Sequence, residues 1–169
     1  GTVEEVVDEE VIKQLYKIEN ACYNNLLGSI EIKNIYKEKV FVLAGAGYGI
    51  PIYRVLTKNN IGFKTGVLFK NDVDYEIERT MGIDICSVNP FMEIEESHIA
   101  KAIDMIDLST CFIDSGVNIG KSNKDYISLI EYAIEKNKKI ICLREREEAK
   151  KIYRSANNIV FIDSICDLD

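Results

Sequence analysis

Three stretches of the 169-residue chain carry residue types at spacings capable of chemistry. The first is Gly45-Ala46-Gly47-Tyr48-Gly49, which interrupts a short apolar run just before a helix-forming segment. Glycines between a strand and a helix let backbone amides approach a phosphate, and the helix start adds a favourable dipole. The dinucleotide fingerprint G-x-G-x-x-G wants glycine at its sixth position, where this chain has Ile50. That fingerprint also places an acid about 20 residues on. Asp72 comes 25 after Gly47. Two readings stand side by side: a loop for an anion or nucleotide, and a tight turn that lets the helix pack closely. A redox enzyme using NAD is disfavoured.

The second stretch is Asn71-Asp72-Val73-Asp74-Tyr75-Glu76. Asp72 suits a helix N-cap, and Asp74 and Glu76 suit a first turn. At the carboxyl edge of a parallel sheet the same acids could line a crevice. The third is Ser115-Gly116-Val117-Asn118-Ile119-Gly120-Lys121-Ser122. A phosphate-binding G-x-x-x-x-G-K-[ST] loop needs glycine at position 115, and Gly116 is one residue too close. The match is a chance one, though the stretch leaves the end of a strand and can face the same crevice. His98 is the only histidine and stands beside Glu95 and Glu96 at a helix start. Alone it assembles neither a metal site nor a nucleophile–base pair. The run Arg144-Glu145-Arg146-Glu147-Glu148 reads as a solvated helix start with local ion pairs.

These residues need a scaffold, and the pattern from Lys39 onward supplies one. Apolar runs predict strands over 40–44, 63–69, 83–88, 110–114, 139–143 and 158–162. Between them, 3.6-residue periodicity and cap residues predict helices over 50–59, 73–81, 95–107, 124–136 and 145–153. Pro51 fits a first helical turn, and Gly82 a helix end. Six strands alternating with helices imply a Rossmann-like doubly wound α/β fold, with a mainly parallel sheet covered on both faces. The candidate pocket at the carboxyl ends of its strands draws on Gly45, Gly47, Tyr48, Gly49, Asp72, Asp74, Ser115 and Asn118.

The first 34 residues differ, holding a net charge of −4 against −3 for the other 135. Asp8 caps a short amphipathic helix there, with Val11, Ile12, Leu15 and Tyr16 on its apolar face. Asn24, Asn25, Gly28 and Ser29 read as a loop or linker. The division expected is therefore 1–34 as a tail and 35–169 as the α/β domain. A hydrophobic share of 47% supports a real core, and a net charge of −7 argues against nucleic-acid binding. The longest uncharged stretch, 40–53, is too short to span a bilayer and carries three glycines and a proline. The five cysteines are unclustered, with no zinc or redox spacing, and read as small apolar residues of a reducing cytoplasm. The chain opens on Gly1 with no signal-like segment and reads as a piece of a longer one.

These residues also carry a resemblance. Gly1-Thr2-Val3-Glu4-Glu5-Val6-Val7, followed by Val11-Ile12-Lys13-Gln14-Leu15-Tyr16, resembles the end of ABC transporter ATPase subunits of the iron-chelate/cobalamin type. The remainder resembles the extra carboxy-terminal domain some of these subunits carry. The marks are the glycine turn 45–49, Gly66-Val67-Leu68 leading into Asp72-Val73-Asp74-Tyr75-Glu76, and Pro90-Phe91 before Glu95-Glu96. The resemblance implies a parent that hydrolyses ATP with Mg to drive import of an iron complex, haem or cobalamin. This piece has no L-S-G-G-Q signature, and Ser115 rather than an acid follows Asp114. The expectation is thus a non-catalytic accessory or regulatory domain with no cofactor of its own. It would lie at the cytoplasmic face of the membrane, with the remainder of the ATPase subunit and its permease as partners, or as a homodimer. It would take a small anionic or nucleotide ligand. Two alternatives stay open: a stand-alone α/β enzyme using a nucleotide or sugar nucleotide, and a pure dimerisation or interaction module.

Overall fold

The computed structural model describes residues 20–154 and 158–168. The helix expected after Asp8 lies outside them. A hairpin of β1 (Ala21–Asn24) and β2 (Ser29–Ile32) comes first. Alternating elements follow: β3 (Glu38–Leu43), α1 (Ile50–Lys58), β4 (Gly62–Phe69), α2 (Val73–Met81) and β5 (Ile85–Val88). The second half runs α3 (Glu96–Leu108), β6 (Cys111–Asp114), α4 (Tyr126–Glu135), β7 (Lys139–Cys142), α5 (Arg146–Ile152) and β8 (Ile159–Phe161). A 3-10 turn, Ile165–Leu168, closes the described chain.

The large sheet has the order β5-β4-β3-β6-β7-β8, and every neighbouring pair is parallel. Counted from β3 this is the doubly wound Rossmann order, and the winding reverses between β3 and β6. Side chains alternate across the sheet as strand geometry requires. Val40, Val42 and Ala44 meet Ile52, Tyr53 and Leu56 of α1 and Ile77 and Met81 of α2. Phe41 and Leu43 face the other layer, with Ala102 and Ile106 of α3 and Leu129 and Ile130 of α4. The rings of Phe41 and Phe112 stack there at 5.5 Å. Fully burying a side chain of this size contributes roughly 1.5–3 kcal/mol, so these two layers dominate the stability.

The helix ends follow local chemistry. The Asp72 carboxylate accepts from the Asp74 amide at 2.9 Å and caps α2. Gly82, at φ 76°, ends that helix in the left-handed conformation. The Ile83 amide then turns back to Glu78 O at 3.1 Å, which is why β5 starts at Ile85 rather than at 83.

The loop expected around residues 24–29 is a hairpin turn and no linker. Asn25 to Gly28 form the turn of the hairpin, and Asn24 and Ser29 are paired strand residues. The hairpin is tied to the helices. Asn24 Nδ2 donates to Thr80 Oγ1 at 2.8 Å and to Glu76 O at 3.2 Å, and Cys22 Sγ donates to Thr80 O. The Glu31 carboxylate, buried, takes two hydrogen bonds from Arg54 of α1. Asn34 bonds Thr57 Oγ1 and Ile61 O at the junction with the sheet.

That junction is tight. A Cβ on Gly62 would stand 2.3 Å from Tyr36 O and 2.4 Å from Lys37 O, both backbone atoms. Gly62→Ala is expected to lower stability by about 1–3 kcal/mol, the range of overpacked interiors. Urea denaturation of the two proteins side by side checks this.

Candidate functional site

The glycine loop lies where the winding reverses, between the ends of β3 and β4 and the loop that leaves β6. Ala46 at φ 54° and Gly47 at φ 86° turn successive amides to one side, an arrangement that suits an anion. The chain supplies that anion itself. The Ala46 amide donates to both oxygens of Asp72, at 3.0 and 2.8 Å. The Gly47 amide donates to Asp74 Oδ2 at 2.6 Å and the Gly49 amide to Asp74 Oδ1 at 3.0 Å. The Tyr48 amide is taken by Gly45 O. The loop is thus a clamp on α2, with its amides filled by carboxylates. Gly49 serves packing, since a Cβ there would stand 2.1 Å from Tyr53 Oη.

Asp74 is fully buried. Loss of hydration and the neighbouring Asp72 charge push its pKa up to about 6, against the pull of the amides of Gly47, Gly49 and Ile50. One turn further along α2, the Glu78 carboxyl lies beside the hydroxyls of Tyr53 and Thr65. None of these oxygens has a hydrogen bond of good geometry. Burial raises the Glu78 pKa well above the usual carboxylate range. From the other side of the sheet, the Tyr126 hydroxyl donates to Val67 O and lies 3.8 Å from where a Cβ on Gly45 would stand.

A second polar centre sits across the reversal point. Asp114, at the end of β6, is fully buried and receives Arg144 Nε and Nη2 at 3.0 Å each. Tyr153 Oη adds a bond at 2.8 Å and the Gly116 amide one at 3.0 Å. Arg144 also reaches Glu148 at 2.8 Å. Arg144 is therefore no solvated helix-start residue but one half of a buried bidentate pair. Its partner comes from the neighbouring strand, so only the order β6-β7 could have revealed it.

A cleft of about 890 Å³ opens beside Ala46 and Asp72. Its floor is the segment after β4, with Phe69, Asn71 and Val73. One lip is residues 91–94, after β5; the other carries Lys121, Ser122, Lys124 and Asp125, after β6. Among the described residues neither Lys121 nor Lys124 has an ion-pair partner. Phe91 is 98% exposed at φ 65°. The Met92 amide bonds Asn89 O, so Asn89-Pro90-Phe91-Met92 is a turn with proline second and a positive φ third. Glycine is the usual third residue of such a turn, and a larger one costs about 1–2 kcal/mol.

The structure brings Gly45, Gly47, Tyr48, Gly49, Asp72 and Asp74 together, and Asp72 alone of these lines the cleft. Ser115 is buried, its amide on Leu43 O and its hydroxyl without a partner. Asn118 is exposed, its carbonyl accepting from Asn123 Nδ2. In the 115–122 stretch the Gly120 amide is held by Asn123 Oδ1 at 2.7 Å. His98 accepts the Glu95 amide through Nδ1 and so helps cap α3. Lys121 belongs to the 115–122 stretch expected to face this crevice, whereas Phe91 and Lys124 were not among the expected site residues; Pro90-Phe91 was the nearest signal for Phe91.

The fold and this edge define a Rossmann-type α/β domain whose glycine loop is closed by its own acids, leaving a cleft alongside. Residues 63–168, well over half of the chain, match the family described as the MJ0874 family, and the chain belongs to that family. Over 70 residues it is 37% identical to a Methanocaldococcus jannaschii protein named as the uncharacterized ABC transporter ATP-binding protein MJ0873. That stretch is 40% of this chain and 24% of the relative, so the match spans about a quarter of the relative's length. No solved structure matches the chain. Among the described residues no helix is long and apolar enough to cross a membrane.

Two measurements test the polar centres. Arg144→Met leaves the Asp114 carboxylate buried without its cation and is expected to cost about 3–5 kcal/mol, whereas Asp114→Leu combined with Arg144→Met costs less than the two single changes added. Equal costs for double mutant and sum, in urea denaturation, would show the pair uncoupled. Asp74 holds its proton more tightly folded than unfolded, so its contribution to stability is present at about pH 4 and lost as pH rises through about 6. Its carboxyl ¹³C resonance should titrate near 6, and Asp72→Asn should lower that midpoint; an unmoved midpoint refutes the role given to Asp72.

Proposed function

We propose that this chain is a non-catalytic accessory domain of the ATP-binding subunit of an ABC importer for iron complexes, haem or cobalamin. In this reading it works at the cytoplasmic face of the membrane, docked on the ATPase and through it on the permease, and takes a small anionic or nucleotide ligand at its carboxyl edge. The observation that carries the reading is the 37% identity to a protein named as an ABC transporter ATP-binding protein. The resemblance of residues 1–16 to the close of such ATPases supports the importer type.

The hairpin supports docking. β2 is turned inside out: Glu31 points inward to Arg54, while Ile30 and Ile32 point outward. Leu26 and Ile35, each more than two-thirds exposed, extend the apolar surface. Apolar surface gathered in this way is the mark of a face that meets another protein. The same observation favours the second reading, an interaction module that pairs with itself. A stand-alone enzyme would place a perturbed acid beside Gly47. Asp74 is such an acid, but it is sealed from solvent and holds backbone amides with both oxygens.

The purified chain should hydrolyse no ATP above a blank, and should co-purify with an ABC ATP-binding protein of the same source but not with an unrelated P-loop ATPase. Ile30→Glu with Ile32→Glu should abolish the complex and leave the fold intact by circular dichroism. Steady ATP turnover by the chain alone sinks the non-catalytic half. A stable homodimer that these substitutions dissociate, with no ATPase complex, favours the module.

A further inference from the structure

We infer that the cleft between the 91–94 and 121–125 segments binds a mononucleotide, its base against Phe91 and its phosphate on Lys121 and Lys124. The inference rests on the ligand-binding part of the reading above and moves the site away from the glycine loop. Four of that loop's amides, those of Ala46, Gly47, Tyr48 and Gly49, already donate within the chain.

The strand order sets the separation of the two lips. β5 and β6 stand three inter-strand spacings apart in the sheet, roughly 14 Å at the usual spacing. One lip carries Phe91, Met92 and Ile94 with the acid Glu93, the other the two lysines and Ser122 with the acid Asp125. The cleft therefore suits an elongated molecule, aromatic at one end and anionic at the other. Its volume of about 890 Å³ falls within the range of small-molecule sites.

Phe91 carries the most information. It sits in a backbone conformation that favours glycine, its ring is almost wholly in water, and it packs against no core. Nothing in the fold is served by an aromatic residue there. A ligand in the cleft gives the ring a stacking partner. The cations opposite are not committed to carboxylates of the chain, so a phosphate meets them without displacing an existing ion pair.

The test is isothermal titration of the whole chain with adenosine 5′-monophosphate, adenosine and ribose 5-phosphate. The monophosphate should bind more tightly than either part. Phe91→Asn relaxes the turn, and its melting temperature should be equal to or above that of the parent, while its affinity falls about tenfold, as expected for loss of one stacked base. Phe91→Tyr should keep the affinity. Lys121→Ala with Lys124→Ala should reduce binding of the monophosphate to that of adenosine. No saturable binding of the monophosphate overturns the inference, as does binding that Phe91→Asn leaves unchanged, or ribose 5-phosphate binding as tightly as the whole nucleotide. Loss of the ATPase complex with nucleotide binding intact would instead count against the docking reading alone.

Discussion

The carboxylates of Asp72 and Asp74 in the amides of the 45–49 loop are the contact on which the rest of this domain depends. Four N–H···O bonds join the exit of the central strand β3 to the start of α2. They hold Ala46 at φ 54°, a conformation an alanine adopts only when its surroundings impose it. They also decide what the loop can do. An amide nest in a Rossmann fold normally awaits the phosphates of a ligand, but here it is filled by two acids two residues apart, the N-cap and a first-turn residue of α2. A phosphate would have to displace a carboxylate, and would meet its charge on arrival. The closed loop and the open cleft next to it are two results of one arrangement.

The domain treats its buried acids in three ways, and the physical chemistry of each differs. Asp114 is neutralised by a cation, with Arg144, Tyr153 and Gly116 saturating its oxygens. Asp74 is solvated by backbone dipoles alone, which offset only part of its lost hydration, so its pKa rises. Glu78 has neither and faces only hydroxyls, and burial drives it further toward the neutral acid. Asp74 and Glu78 lie one turn apart on α2, so protonation relieves repulsion along that helix. The reversal point of the sheet thus carries a charged pair on the β6 side and two acids of raised pKa, Asp74 and Glu78, on the β4 side.

Much of this was legible in the sequence, for reasons that are local. Each strand of the large sheet is a short apolar run between turn residues, and α2 spans 73–81 because Asp72 and Gly82 mark both ends within a few residues. What was not legible depends on neighbours in space. The N-cap role of Asp72 is a contact two residues away, but its bond to Ala46 requires that β3 and β4 be adjacent. Arg144 stands among exposed charges at 145–147, and local sequence says surface; the register of β6 on β7 puts Asp114 against it. The hairpin was hidden for another reason. Alternation identifies a strand by its apolar inward face, and in β2 the inward residue is Glu31, matched to an arginine from another element. Phe91 escaped because a positive φ after proline is a signal for glycine.

The cleft and the inverted hairpin are joined by α2. Its first residue follows Asp72, which lines the cleft, and its last turns hold Asn24 through Glu76 O and Thr80. Nine residues of helix span about 13 Å. Coupling between two sites needs an element with two arrangements that each site can bias. α2 is poorly suited to be one. It is capped by a carboxylate at one end and by a left-handed glycine at the other, and Ile77 and Met81 are buried in the core between α1 and the sheet. A helix so fixed sets a constant distance between the two surfaces. Ligand in the cleft would then add to the stability of the domain without altering the shape of the hairpin, and any influence on a docked partner must arise where the partner itself touches the 91–94 or 121–125 lip.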